Sequence, residues 1–310
     1  MIKRAIEERI HNALAKKKVV TIMGPRQVGK STLAGAMIPE DANVLEINGD
    51  NTDVQTMFVN VDDTKMKVLI GNKNFLFVDE AQKIGNVGNM LKIAAEKFDD
   101  VKVIVTGSSA FKLAEAVNES LTGRKREFRL YPLSFKEMAD ETSALEESRM
   151  IDHRLIYGYY PEVVTSPGDE KEVIKELIDS YLYKDVLEEN DIAKQDKLVR
   201  LVQALAFQIG STVSANELAG LVGVDAKTVE RYIDILEKCY IIFTLPSYAR
   251  NQRNELKFAR KIYFWDMGIR NGVIGNMAPV SLRSPEELGH MWENFLVAER
   301  IKRNDYAGRT

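Results

Sequence analysis

The sequence predicts an α/β fold, a parallel sheet with helices, followed by a helical segment and a small domain of three helices and two strands. Three observations predict it. Short apolar runs at 19–23 (VVTIM), 43–48 (NVLEIN), 75–80 (FLFVDE) and 101–107 (VKVIVTG) are separated by stretches long enough for helices, which is the rhythm of parallel β/α units. From 134 to about 200 such runs vanish and apolar residues recur at three- and four-residue spacing, as in VIKELIDSYLYKDVLEE at 173–189. From 196 onward helical patterns give way to two further strand-like runs, YIIFTL and KIYFWD, on either side of a basic stretch.

The opening stretch, MIKRAIEERIHNALAKKK, is charged throughout with apolar residues at helical spacing, so it reads as an amphipathic helix and not as a secretory signal. No run approaches the ~18 apolar residues that a membrane span needs, and the expectation is a cytoplasmic chain without membrane contact. Of the 310 residues 45% are hydrophobic and 29% charged, with a formal net charge of -3. Such a balance suits a globular protein of two or three compact units and gives no global attraction to polyanions. Cys239 is the single cysteine, set in the apolar EKCYIIF, and reads as a buried filler. His11, His153 and His290 are too scattered for metal-ligand spacing, and the acceptor pattern at Asn118 is set aside with the cytoplasmic expectation.

Directly after the first strand-like run comes GPRQVGKSTL, in which Gly24, Gly29, Lys30 and Ser31 satisfy G-x-x-x-x-G-K-[ST]. The pattern sits between a strand and a helix (KSTLAGAMI), where backbone N–H groups surround phosphates, so the fold expected is that of a P-loop NTPase. Candidate nucleotide-binding residues are Gly24, Pro25, Arg26, Gln27, Val28, Gly29, Lys30, Ser31 and Thr32. Lys30 would bring a point charge to the β and γ phosphates, and the Ser31 hydroxyl would ligate Mg2+. FLFVDEAQKI then delivers Asp79 and Glu80 at the C-terminal end of a hydrophobic strand, where open α/β sheets keep their ligands. Asp79 would hold Mg2+ through water, and Glu80 would polarise the attacking water. Thr106, Ser108 and Ser109 end the next strand-like run, as phosphate sensors or simply as turn formers. Arg124 and Arg126 precede a further β-like run; either could stabilise charge at the γ-phosphate, in cis or from a neighbouring subunit, or both could be a solvated strand edge. The acids are followed by AQ and not by the glycine of D-x-x-G, and GNKN at 71–74 lacks the aspartate that would read guanine, so ATP is expected in preference to GTP.

Beyond the nucleotide core, SFKEMADETSALEESRM opens a helical lid or linker. DKLVRLVQALAFQIG closes on Gly210, Ser214 stands at capping-box spacing from Glu217, and Asp225 is a plausible N-cap for a helix whose Val229, Tyr232, Ile233 and Leu236 share a face. Three helices and then two strands around a basic loop is the order of a winged helix-turn-helix. The expected organisation is 1–133 for the P-loop core with its N-terminal helix, 134–195 for the lid, 196–275 for the winged helix, and 276–310 for a linker and the start of a further domain.

GPRQVGKSTL, FLFVDEAQKI, VIVTGSSAFKL, ESLTGRKREFRLYPLSFKEM, YGYYPEVV, YLYKDVLE and KIYFWDMGIRNGVIG occur in an order that resembles AAA+-type ATPases of the archaeal ATPase group. That family has an origin-recognition-like or STAND-like core, a winged helix and a C-terminal restriction-nuclease-like domain. The resemblance implies a phosphate-sensing role for the GR after ESLTG, which favours Arg124 over Arg126. LGHMWENFLVAERIKRND (288–305) resembles the opening helix of the nuclease-like domain, and the chain ends before the acidic residues and lysine of such a domain, so a truncated form without nuclease activity is expected.

Charge bears on the partner. The expected recognition helix from Asp225 to Lys238 carries three basic and four acidic side chains, a poor face for phosphates. The stretch YARNQRNELKFARK carries Arg250, Arg253, Lys257, Arg260 and Lys261 against Glu255, so double-stranded DNA, if bound, would be held by this wing; a protein partner or a homo-oligomer is the other reading. Two functions stay open: an ATP- and Mg2+-dependent ATPase coupled to movement of the winged helix, or a nucleotide-gated switch with negligible turnover.

Overall fold

The structure, a computed structural model, describes residues 1–108, 121, 123–180, 186, 195–246 and 260–309. It divides into two compact units, Met1–Leu130 and Tyr131–Thr310.

The first unit is built on five parallel strands: β1 (Val19–Met23), β2 (Val44–Asn48), β3 (Phe75–Asp79), β4 (Lys102–Gly107) and β5 (Lys125–Arg129), in the order β2-β3-β4-β1-β5. Strands covered by helices on both faces need apolar side chains at successive positions. VVTIM is buried at all five positions, and FLFV of β3 likewise, which is why these runs lack polar alternation. Among the described residues its helices in chain order are α1 (Glu7–Ala15), α2 (Lys30–Ala36), α3 (Thr52–Met57), α4 (Asp63–Ile70) and α5 (Val87–Lys97). α1 buries Ile10, Ala13 and Leu14, a spacing of three and four residues that gives one apolar stripe. Asp62 caps α4 by accepting from the Lys65 amide, satisfying one of the donors a helix start leaves open.

The second unit begins with α6 (Phe135–Glu141), α7 (Ala144–Arg149), α8 (Ile151–Tyr157), α9 (Pro161–Thr165) and α10 (Glu170–Leu177). Ser134 and Glu137 form a capping box on α6. There follow α11 (Gln195–Phe207), β6 (Thr212–Val213), α12 (Ala215–Val222), α13 (Ala226–Lys238), β7 (Ile242–Leu245), β8 (Arg260–Phe264), α14 (Met267–Val273) and α15 (Pro285–Tyr306). The three strands form an antiparallel sheet in the order β6-β8-β7. Asp225 caps α13 through the Thr228 amide, as expected, and Val229, Tyr232 and Leu236 are buried on one face. Ser214 does stand at the N-cap of α12, but its side chain makes no capping bond; the expected box with Glu217 is not formed.

Gly158 of YGYYPE and Gly268 of WDMGIRNG lie where two segments meet around one buried carboxylate. Asp266 caps α14 by accepting from the Ile269 amide at 3.2 Å and also accepts from the Tyr159 amide at 2.6 Å. A Cβ on Gly158, whose φ is 77°, would stand 2.0 Å from Asp266 Oδ1, and one on Gly268 would stand 2.1 Å from the Tyr157 carbonyl oxygen. Only glycine allows the two segments to approach this closely. Asn271 adds two bonds of 2.9 Å to the Leu155 and Ile156 carbonyls, satisfying part of the open end of α8.

Candidate active site

The strand register places the site. Ile22 pairs with Thr106 and Met23 with Gly107, while Val78 pairs with Val105. The residues following β1, β3 and β4 therefore emerge together at the C-terminal edge of the sheet. β4 lies between β1 and β3, so the loop after β1 and the acids after β3 are two strand spacings apart, about 10 Å along the sheet. Gly29, in the left-handed region at φ 88°, starts α2, and its position lets α2 bring Ser31 across that gap. The Ser31 hydroxyl donates to Asp79, with both carboxylate oxygens at 2.9 Å.

The loop itself is tightly held. Gly24 lies against the backbone of the residue after β5: an added Cβ would sit 2.0 Å from the Leu130 carbonyl oxygen. The constraint at this glycine thus includes close backbone packing within the sheet edge. Pro25 and Val28 are buried, Arg26 and Gly29 half-buried, and Gln27, Ser31 and Thr32 exposed. Gln27 has φ 60°, so two residues of the loop, Gln27 and Gly29, occupy the left-handed region. Lys30, 5% exposed, folds its ammonium back onto the Gly24 and Pro25 carbonyls at 3.1 and 2.8 Å.

At the ends of β3 and β4 a network of hydroxyls and carboxylates continues from Ser31. Thr106, fully buried, donates to Asp79 and accepts from the Glu80 amide at 3.3 Å. Glu80 has φ 47°, a conformation uncommon for a residue with a Cβ, and it opens a short 3-10 turn, Ala81–Lys83. Its Oε2 accepts from Gln82 Nε2 at 2.6 Å and from Ser108 Oγ at 3.2 Å.

The structure therefore brings together Gly24 to Thr32, Asp79, Glu80, Thr106 and Ser108. It does not bring Arg124 to them. The Arg124 carbonyl accepts from the Val19 amide at 3.0 Å, at the start of β1, and its side chain pairs with Glu96 of α5. Five residues of β1 separate that level from Gly24, roughly 16 Å. Of the two placements the sequence leaves open for Arg124, in cis or from a neighbouring subunit, the structure does not bring it to the loop of its own chain. Ser109 lies outside the described residues, as do Arg250, Arg253 and Lys257; Arg260 is described, exposed at the start of β8.

Two side chains went unread in the sequence. Arg4, buried ahead of α1, donates from Nη1 to the Val28 carbonyl at 2.8 Å, so the N-terminal segment braces the loop. Nothing in KRAIEER distinguishes one arginine from its charged neighbours. Gln82 is the other; its place two residues after Glu80 was the available signal.

Among the described residues no group of three or more His, Cys, Asp or Glu side chains is arranged to hold a metal. The donors at the site are the Ser31 hydroxyl and the Asp79 carboxylate, hard oxygens of the kind Mg2+ takes when phosphates and water complete its shell. They fit that ion and no dedicated protein cage. No helix among the described residues is long and apolar enough to cross a membrane.

Residues 148–279 match the model of a domain of unknown function (DUF8612). The chain is 25% identical over 241 residues to an uncharacterized protein of Haemophilus influenzae, covering 74% of this chain and 58% of that protein. It is 24% identical over 300 residues to an uncharacterized protein of Mycobacterium tuberculosis, covering 96% of this chain and 65% of the other. The chain thus spans about three fifths of the length of these relatives. In fold it is similar to a Walker-type ATPase of Pyrococcus abyssi, with a TM-score of 0.60 and 16% identity over 88% of this chain and 96% of that one. Residues 16–139 match the model of the AAA domain, and together with the shared fold this supports a P-loop domain of the AAA ATPase kind in the first unit.

Proposed function

We propose that the chain is an ATPase that binds ATP with Mg2+ at Gly24 to Thr32 and hydrolyses it. The observation that carries the reading is the joining of Ser31 to Asp79 across the intervening strand, next to a lysine folded onto the loop. Lys30 lies on the Gly24 and Pro25 carbonyls of the loop, within reach of a polyphosphate, which would offer it a stronger, charged acceptor. The loop amides and the start of α2 contribute further donors aimed at the same anion. Ser31 and Asp79 would hold Mg2+, which when bound neutralises phosphate charge. Glu80 takes a proton from the attacking water, and Thr106 keeps Asp79 and the Glu80 backbone in register. Most of the acceleration in such a transfer comes from positioning and preorganised charge. Arg124, remote from its own loop, is assigned at most to the site of a second copy.

For the second unit, the order α11-β6-α12-α13-β7-β8 with an antiparallel sheet supports a winged helix-turn-helix, with the residues between β7 and β8 as the wing. We assign to Arg250, Arg253, Lys257 and Arg260 a contact with duplex DNA, and couple ATP turnover to movement of this unit. The alternative, a nucleotide-gated switch with negligible turnover, uses the same binding residues.

The test is ATP turnover by the purified chain, with Glu80→Gln beside it. The variant is expected to bind ATP as the unmodified chain does and to lose at least about a hundredfold in kcat, the scale of general-base loss. Equal rates would refute the role of Glu80; binding without turnover in the unmodified chain would establish the switch.

A further inference from the structure

Gln82 makes two hydrogen bonds from one amide nitrogen, to Glu80 Oε2 at 2.6 Å and to Ser108 Oγ at 2.9 Å. Ser108 Oγ is itself 3.2 Å from the same Glu80 oxygen, so the three side chains close a triangle on Oε2. The other end of the amide tells more. Gln82 Oε1 is buried and has no hydrogen-bond partner among the described residues. A buried carbonyl without a donor is destabilising, and such groups are rare in native folds. Turning the amide over would put Oε1 against the carboxylate oxygen of Glu80, two acceptors in contact, so the carboxylate dictates the orientation. The arrangement costs stability and holds one oxygen of one carboxylate.

We propose that Gln82, assisted by Ser108, is the positioning residue for Glu80: it fixes Oε2 so that Oε1 is the oxygen offered to the attacking water. This rests on the reading of Glu80 as the base. A carboxylate on a flexible stem would otherwise rotate between poses. Two donors on one oxygen, of which Gln82 sits on the same rigid 3-10 turn, remove that freedom before substrate arrives.

The experiment is steady-state ATP turnover with Mg2+ for the unmodified chain, Gln82→Met, Gln82→Glu and Ser108→Ala, each with its melting temperature. Methionine keeps the volume and deletes both the amide and its unpaired carbonyl. Gln82→Met is expected to melt no lower than the unmodified chain, to lose about tenfold or more in kcat, and to keep KM within about twofold. Gln82→Glu places a second carboxylate beside Glu80, so the acidic limb of its pH–rate profile should move to higher pH. Ser108→Ala should lose severalfold in kcat. Combined with Glu80→Gln, Gln82→Met should cause no further loss, because it acts through Glu80. A Gln82→Met variant with unchanged or raised kcat, or one that loses stability and activity together while Gln82→Glu keeps the original pH profile, overturns the positioning role and leaves the ATPase reading standing. An unmodified chain without turnover ends both.

Discussion

Arg4 and Lys30 show how the loop is held from below and armed from within. Arg4 donates to the buried Val28 carbonyl. Replacing Arg4 by alanine should destabilise the first unit by about 1–3 kcal/mol, the range for removing a partner of a buried acceptor. Because the same bond braces the residue before Gly29, ATP affinity should fall severalfold as well. Thermal melts of the variant with and without MgATP would show both effects, and an unchanged melt together with an unchanged ligand-induced shift would contradict the bracing role. Gly24→Ala acts by a different route, since its methyl would collide with the Leu130 carbonyl oxygen. It should lower the melting temperature even without nucleotide, whereas a glycine needed only for phosphate approach would leave the unliganded melt unchanged.

At the scale of elements, α14 and α15 are joined by a cluster of three charges. Arg270, 3% exposed at its side chain, and Arg283, 1% exposed, both donate to Glu287 Oε1, at 3.0 and 2.6 Å. Burial pulls the Glu287 carboxyl upward, but the hydrogen bond from Arg270 and the charge of Arg283 outweigh it and hold the group below the usual carboxylate value. Glu287→Ala would leave two buried guanidinium groups short of their anion. A loss of about 2–3 kcal/mol is expected, less than the ~3–5 kcal/mol of a fully buried pair because Glu287 is partly exposed. A carboxyl depressed in the folded state contributes stability that is present above its ordinary value near 4.5 and disappears as pH falls through the folded value. The stability gap between the unmodified chain and Glu287→Ala should therefore be constant from about pH 5 to 8 and narrow below that range. A gap that instead widens in acid would contradict the assignment. The same scale shows what the sequence made legible. VVTIM and FLFVD could be read as strands because both of their faces are covered, so the apolar run is unbroken. Asp225 could be read as a cap from its place just before the apolar face of α13, while Ser214, at capping-box spacing from Glu217, makes no capping bond. Whether Arg124 serves its own chain's loop could not be read, because its level on the sheet is set by the register of β5 against β1, which no local pattern encodes. Gln82 and Arg4 act through neighbours 26 and 24 residues away, Ser108 and Val28, and such contacts exist only after folding.

For the whole molecule, the proposal couples a nucleotide site in the first unit to a DNA contact in the second. The net charge of -3 leaves no general affinity for nucleic acid, so the proposed contact relies on the local basic charge of the segment between β7 and β8 together with Arg260. Titration of duplex DNA at two salt concentrations should give affinity that falls steeply with salt, and Arg250→Ala with Arg253→Ala should reduce both the affinity and the slope. Affinity indifferent to these changes, or without salt dependence, would contradict the wing contact and favour a protein partner.

The most direct test of the central claim is calorimetric titration of the chain with ATP in the presence of magnesium, repeated with Lys30→Ala. Saturable one-site binding is expected for the unmodified chain and at least a tenfold weaker association for the variant, the change produced by losing one charged contact of about 1.4 kcal/mol or more. No heat of binding with the unmodified chain, or equal affinity after removal of the Lys30 ammonium, would contradict it.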